Sequence, residues 1–118
     1  MAAPNIVNVT TIFGKTNVAV LNTTLSNVLV NSSTSGNVIK VNDITISNFT
    51  GSAMYANLTF GRGSSLYFIA GTLTLPAYST VAAIGKDTTI YLEEGDYLQA
   101  NTSSATGSHL IVSYESIN

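Results

Sequence analysis

The sequence predicts an all-β fold, an antiparallel β-sandwich for which a jelly roll is one arrangement. Three observations carry that expectation. Short segments rich in Val, Ile, Thr, Tyr and Phe recur along the chain. Clusters of Gly, Asn, Ser and Thr separate them at short intervals, and no segment sustains an apolar stripe at helical spacing.

Taken in order, residues 6–13 are β-prone and stop at Gly14-Lys15, where a turn is expected. Residues 18–21 and 25–30 follow, with Asn22-Thr23-Thr24 as the bend between them. The polar run at residues 31–37 is a concentrated loop signal. Residues 38–47 are rich in β-branched side chains and alternate at Ile39, Val41, Ile44 and Ile46 if one residue bulges near Asn42-Asp43. After a loop at residues 48–52, Met54, Ala56, Leu58 and Phe60 fall on one strand face and Tyr55, Asn57 and Thr59 on the other, the half-buried pattern of an antiparallel sheet. Gly61-Arg62-Gly63-Ser64-Ser65 reads as the next turn. Residues 66–70, 72–75, 80–84, 88–92, 96–101 and 109–114 are the remaining strand candidates. Further turns fall at residues 85–87, 93–95 and 102–108.

The 118 residues suit one domain, residues 6–118, preceded by an extended arm, residues 1–5. Pro4 resists helix formation in that arm, so the arm is available to dock on a neighbour, and the β segment after it can align with a partner's edge. Pro4, Ile6, Val7 and Val9 are the candidate protein-interface residues on this reasoning. Charged residues are only 8% of the chain, while 16 Thr, 14 Ser and 12 Asn supply its uncharged polarity. With a formal net charge of −2 and its four cations dispersed, the chain offers no phosphate-neutralising stripe, which argues against nucleic acid as a partner.

The uncharged stretch at residues 64–85 is long enough for a membrane span. Gly71, Pro76 and alternating threonines make two strands joined at residues 76–79 the better reading. The first residues show no basic region followed by an apolar core, so a cleaved secretory signal is not expected. Six Asn-x-Ser/Thr triplets start at Asn8, Asn22, Asn31, Asn48, Asn57 and Asn101; the Asn, Ser and Thr content explains them without glycosylation. There is no cysteine, which excludes disulfides and thiolate chemistry.

Candidate chemistry is sparse. Glu93, Glu94 and Asp96 are the densest acidic group and could offer oxygen ligands or an acid-base pair, but they lack EF-hand spacing and read as one solvated hairpin tip, with Gly95 reversing the chain. His109 is the single histidine and has no partners at zinc or triad spacing; Ser108 and Glu115 do not complete one. Gly61-Arg62-Gly63 lacks the lysine-hydroxyl ending and strand-helix context of a phosphate loop. Tyr55, Tyr67, Tyr78, Tyr91, Tyr97 and Tyr114 would form a carbohydrate platform only if several were exposed side by side; otherwise they belong to core and interface. Among Leu92, Leu98, Ile111 and Val112 core contacts are expected. No catalytic residue, metal ligand or cofactor is assigned, and a non-enzymatic protein is expected.

Residues 1–16, the phrase Val38-Ile39-Lys40-Val41-Asn42, and the endings Ile90-Tyr91-Leu92-Glu93-Glu94-Gly95-Asp96-Tyr97-Leu98 and Val112-Ser113-Tyr114-Glu115-Ser116-Ile117 resemble small virion proteins of tailed phages that infect marine cyanobacteria and related bacteria. The resemblance implies a component of an assembled particle, made in the host cytoplasm and located in the virion. Capsid decoration is favoured, and a tail or neck accessory is the alternative. Its partners would be other virion proteins and copies of itself, with a trimer suggested by local threefold capsid symmetry. A carbohydrate-binding module for host attachment is the reading of a different class.

Overall fold

Alternation of apolar and polar residues resolves into nine strands among residues 11–118, the part of the chain that the computed structural model describes, the Lys86 side chain excepted. They are β1 (Ile12–Val20), β2 (Ser26–Val30), β3 (Val38–Asn48), β4 (Met54–Arg62), β5 (Ser65–Leu75), β6 (Ser79–Ile84), β7 (Ile90–Leu92), β8 (Tyr97–Thr102) and β9 (Ser108–Ile117). One 3₁₀ turn, Lys86–Thr88, separates β6 from β7. Sheet I runs β1-β9-β3-β6, with β7 also on β3; sheet II runs β2-β8-β4-β5, and every pairing is antiparallel. Because β6 and β7 share one edge of β3, the chain has eight strand positions that pass between two sheets in jelly-roll order.

The inner faces make one core. Ile44, Ile46, Leu110 and Val112 from sheet I meet Ala56, Leu58, Leu98 and Ala100 from sheet II, with Leu75 and Leu92 also fully buried. Strand pairing explains the pattern: Ile44 lies opposite Val112 and Ile46 opposite Leu110, so side chains of equal depth share a rung. The bulge expected near Asn42-Asp43 is present, since the β3–β9 register shifts between Val41 and Asp43. It keeps Val41 and Ile44 both inward despite their odd spacing.

Two buried asparagines close the ends of the sandwich. Asn31 Nδ2 donates to the carbonyl oxygens of Asn37 and Leu92, both at 2.9 Å, and its Oδ1 accepts from Ser35 Oγ. At the far end of β3, Asn48 Nδ2 donates to the Ser52, Leu75 and Pro76 carbonyls, while its Oδ1 accepts from the Thr50 amide and hydroxyl. Asn22 Oδ1 likewise accepts from the Thr24 amide at 2.8 Å. These Asn-x-Ser/Thr triplets therefore serve as turn chemistry.

Four sequence expectations are corrected. No turn interrupts β1 at Gly14-Lys15, because both residues pair with β9, opposite Glu115 and Tyr114; residues 6–10 of that expected strand lie outside the described part. Residues 66–70 and 72–75 form one strand, β5, in which Gly71-Thr72 is accommodated by a bulge opposite Asn57. Thr72 there has φ 54°, unusual for a β-branched residue, and its amide donates to Asn57 Oδ1 at 2.9 Å. Thr59 is buried rather than solvated, although it alternates with the inward-facing Leu58. Ile111 is 41% exposed while its neighbours Leu110 and Val112 are fully buried, because successive residues of a strand point to opposite faces.

Candidate functional site

The fold leaves apolar residues exposed on both sheets, Tyr55, Leu66, Tyr67 and Phe68 on β4 and β5 of sheet II and a second group on the outer face of sheet I. Along β1, Ala19 packs against the core and Leu21 is buried, so strand alternation turns Val18 and Val20 outward, 76% and 72% exposed. Register then assembles two rows across the face: Val18, Ile111, Thr45 and Ala82, and beside it Val20, His109, Ser47 and Thr80. Neither row holds an Asp, Glu, Lys or Arg. Phe49 extends the second row, its ring centroid 4.6 Å from that of His109 and its amide anchored on the Gly107 carbonyl at 3.0 Å. Val18, Ala19, Val20, His109 and Ile111 line a shallow groove of about 220 Å³. His109 is thus part of an aromatic contact.

The outer face of sheet II has a different chemistry. Asn57 Nδ2 donates to Asn101 Oδ1 at 3.0 Å, Gln99 Nε2 to Asn27 Oδ1 at 2.9 Å, and Asn101 Nδ2 to the Thr23 carbonyl at 3.2 Å. The amides of this face largely satisfy one another. The tyrosines do not gather there: Tyr55 is on β4, Tyr67 on β5 opposite Phe60, Tyr78 in the β5–β6 turn and Tyr91 on β7 in the other sheet. Tyr114 packs against the core. Tyr97 lies over Gly61, where a Cβ would come within 2.1 Å of its ring, and its hydroxyl donates to the Gly63 carbonyl at 3.2 Å. No shared tyrosine platform results.

The acidic group is a structural clasp and differs from the expected tip. Glu93 is exposed and Gly95 has φ 89°, as a reversing glycine requires, but Asp96 is buried. Asp96 Oδ1 accepts from Arg62 Nε at 2.9 Å, and Oδ2 accepts from the Arg62 guanidinium at 2.6 Å and from the Glu93 amide at 2.8 Å. Arg62 also reaches Glu93 at 2.8 Å. The hydrogen bonds that Arg62 donates to Asp96 and the charge of that carboxylate, reinforced by Glu93, raise the pKa of Arg62 further. Glu94 Oε2 accepts from the Gly36 amide at 3.1 Å. The sequence signal that separates Asp96 from its neighbours is its place at the start of a strand: there a carboxylate caps the turn just closed, and Arg62 from the β4 end supplies the counter-charge.

Other candidates stay apart. Ser108 Oγ donates to Thr102 Oγ1 at 3.3 Å, and Glu115 pairs with Lys40 at 3.8 Å, about 20 Å along β9 from His109. Among the described residues no three His, Cys, Asp or Glu side chains are grouped to hold a metal ion, and no helix is long and apolar enough to cross a membrane. Pro4, Ile6, Val7 and Val9 lie outside the described residues. Sequence reasoning missed Val18 and Val20 as surface residues, because an apolar β-branched run reads equally well as core; Phe49 it placed in a loop, without the ring contact to His109. No protein-family model matches the chain, and no curated protein matches it.

Proposed function

We propose that this chain is a non-enzymatic structural subunit that works by packing against copies of itself and other proteins, in the setting that its resemblance implies: a phage virion, as a capsid decoration protein. The observation that carries the reading is one end of the outer face of sheet I, where Val18, Val20 and Ile111 sit exposed beside the Phe49–His109 pair and the Lys40–Glu115 pair lies at the other end. Contiguous exposed apolar residues of this kind mark surfaces that another protein covers. With so few charges in the chain, long-range steering contributes little and close packing decides association. The jelly-roll order is compatible with a virion protein but is shared by lectins and enzymes, so the surface, not the fold, supports the assignment. A tail or neck accessory would use the same surface. Carbohydrate attachment draws less support, since the tyrosines are dispersed and the amides of sheet II bond to each other.

The chain's position in a purified phage particle, at a resolution that separates subunits, tests the reading. Symmetric copies on the capsid, with the outer face of sheet I against a neighbour, are expected. Absence from the particle, or copies whose sheet I faces only solvent, contradicts it.

A further inference from the structure

Of the edges that the two sheets expose, β1 is the long one that is regular. Its pairing with β9 runs from Ile12 to Val20 with no register shift, and backbone bonds between Thr11 and Asn118 continue the ladder. β2 has five residues and a shift, β6 and β7 are separated by the 3₁₀ turn, and β5 is shifted twice. Among the described residues no strand lies beyond β1 in sheet I. A free strand edge presents unpaired N–H and C=O groups to another chain.

We propose that β1 pairs antiparallel with β1 of a second copy, about a twofold axis through Thr16, so that sheet I continues across a dimer. The inference rests on the assembly reading above and specifies its contact. A twofold axis normal to the sheet must keep outward residues opposite outward ones, so it passes through a residue, and that residue meets its own copy. With Thr16 on the axis, all nine residues of β1 find partners: Ile12 faces Val20, Phe13 faces Ala19, Gly14 faces Val18 and Lys15 faces Asn17. Each exposed apolar side chain meets an apolar or small one. Large Phe13 is set against small Ala19, and Val18 fills the space over Gly14. The lysines do not oppose each other, whereas an axis through Lys15 places like charges directly across the junction. An axis through Asn17 leaves Ile12 and Phe13 without partners in the strand. Threonine tolerates its own copy, since cross-strand Thr–Thr pairs hydrogen-bond. The self-complementary register selects a twofold contact in place of the threefold one that capsid symmetry suggested.

Sedimentation equilibrium of the intact chain, with Thr16→Lys and Thr16→Glu, tests this, and circular dichroism melting confirms that each exposed-site variant is folded. Each variant alone is expected to raise the dimer dissociation constant about fivefold or more, and an equimolar mixture to restore it, because only residues on the axis meet their own counterpart. As the chain has no cysteine, Thr16→Cys is also expected to give an oxidised dimer that Val18→Cys does not. Association that ignores both charges, a mixture that recovers nothing, or a trimer without a Thr16→Cys cross-link overturns the β1 contact and leaves the assembly reading standing. A folded chain that stays monomeric and joins no particle overturns both.

Discussion

The two sheets are alike inside and unlike outside. Sheet I and sheet II contribute fully buried aliphatic side chains to one core, yet the outer face of sheet I exposes Val18, Val20 and Ile111, whereas that of sheet II carries a ladder of paired amides. Their long edges differ in the same direction. β1 is regular, while β5 is uncharged and exposes Leu66, Tyr67 and Phe68 but is broken by two register shifts and by Thr72 at positive φ. Bulges twist an edge away from further pairing. Hydrophobicity alone therefore does not separate the two edges; regularity does.

The largest effect tests the half of the comparison that claims equivalence. Leu98→Ala in sheet II and Leu110→Ala in sheet I should each destabilise by about 2 to 5 kcal/mol, since both are fully buried. Chemical denaturation measures this, and a loss near zero for either would show that the two sheets do not share one core.

Next in size is the clasp. Asp96→Ala removes the acceptor for Arg62 and for the Glu93 amide and is expected to lose about 1 to 3 kcal/mol. Arg62→Ala should lose less, because its side chain is half-exposed and water can replace part of what it supplies. A larger loss for Arg62 than for Asp96 would mean that the ion pair, rather than the turn, is what Asp96 stabilises. Gly95→Val, at φ 89°, should lose about 1 to 2 kcal/mol in the same titration, and an unchanged midpoint would remove the positive-φ argument.

Smaller still for stability, and sharper for the comparison, is removal of the leading segment. Deleting residues 2–8 is expected to weaken oligomerisation or particle incorporation more than it lowers the melting temperature of the remaining sandwich. Light scattering and a particle-binding assay on both forms separate the two effects. Equal particle binding by the shortened chain would sink the proposed docking role of the arm and of Pro4, Ile6 and Val7.

The all-β class, the loops at residues 31–37 and 93–95, and the bulge beside Asp43 were legible because turn residues and β-branched alternation are local signals. Sheet partners were not legible. That β9 lies between β1 and β3 depends on contacts across the whole chain, and no local pattern in residues 108–117 states it. Ile111 was misassigned for a related reason: a run such as Leu110-Ile111-Val112 fits a strand buried on both faces, and only the open outer side of sheet I decides otherwise. Asp96 was misread as solvated because its counter-ion, Arg62, is 34 residues away. The apolar face of sheet I escaped notice for the same cause, since Val18, Phe49 and Ile111 meet only through the fold.

The most direct measurement of the central claim is the self-association of the intact chain beside two surface variants, one on each sheet. Val18→Ser with Ile111→Ser should leave stability within about 0.5 kcal/mol per substitution, as exposed positions allow, and reduce association. Tyr55→Ser with Phe68→Ser on sheet II should leave association unchanged. Sedimentation equilibrium that finds the intact chain associated, the sheet I variant shifted to monomer and the sheet II variant unaffected is the expected result. A monomeric intact chain at every concentration, or equal loss from both variants, would contradict the account.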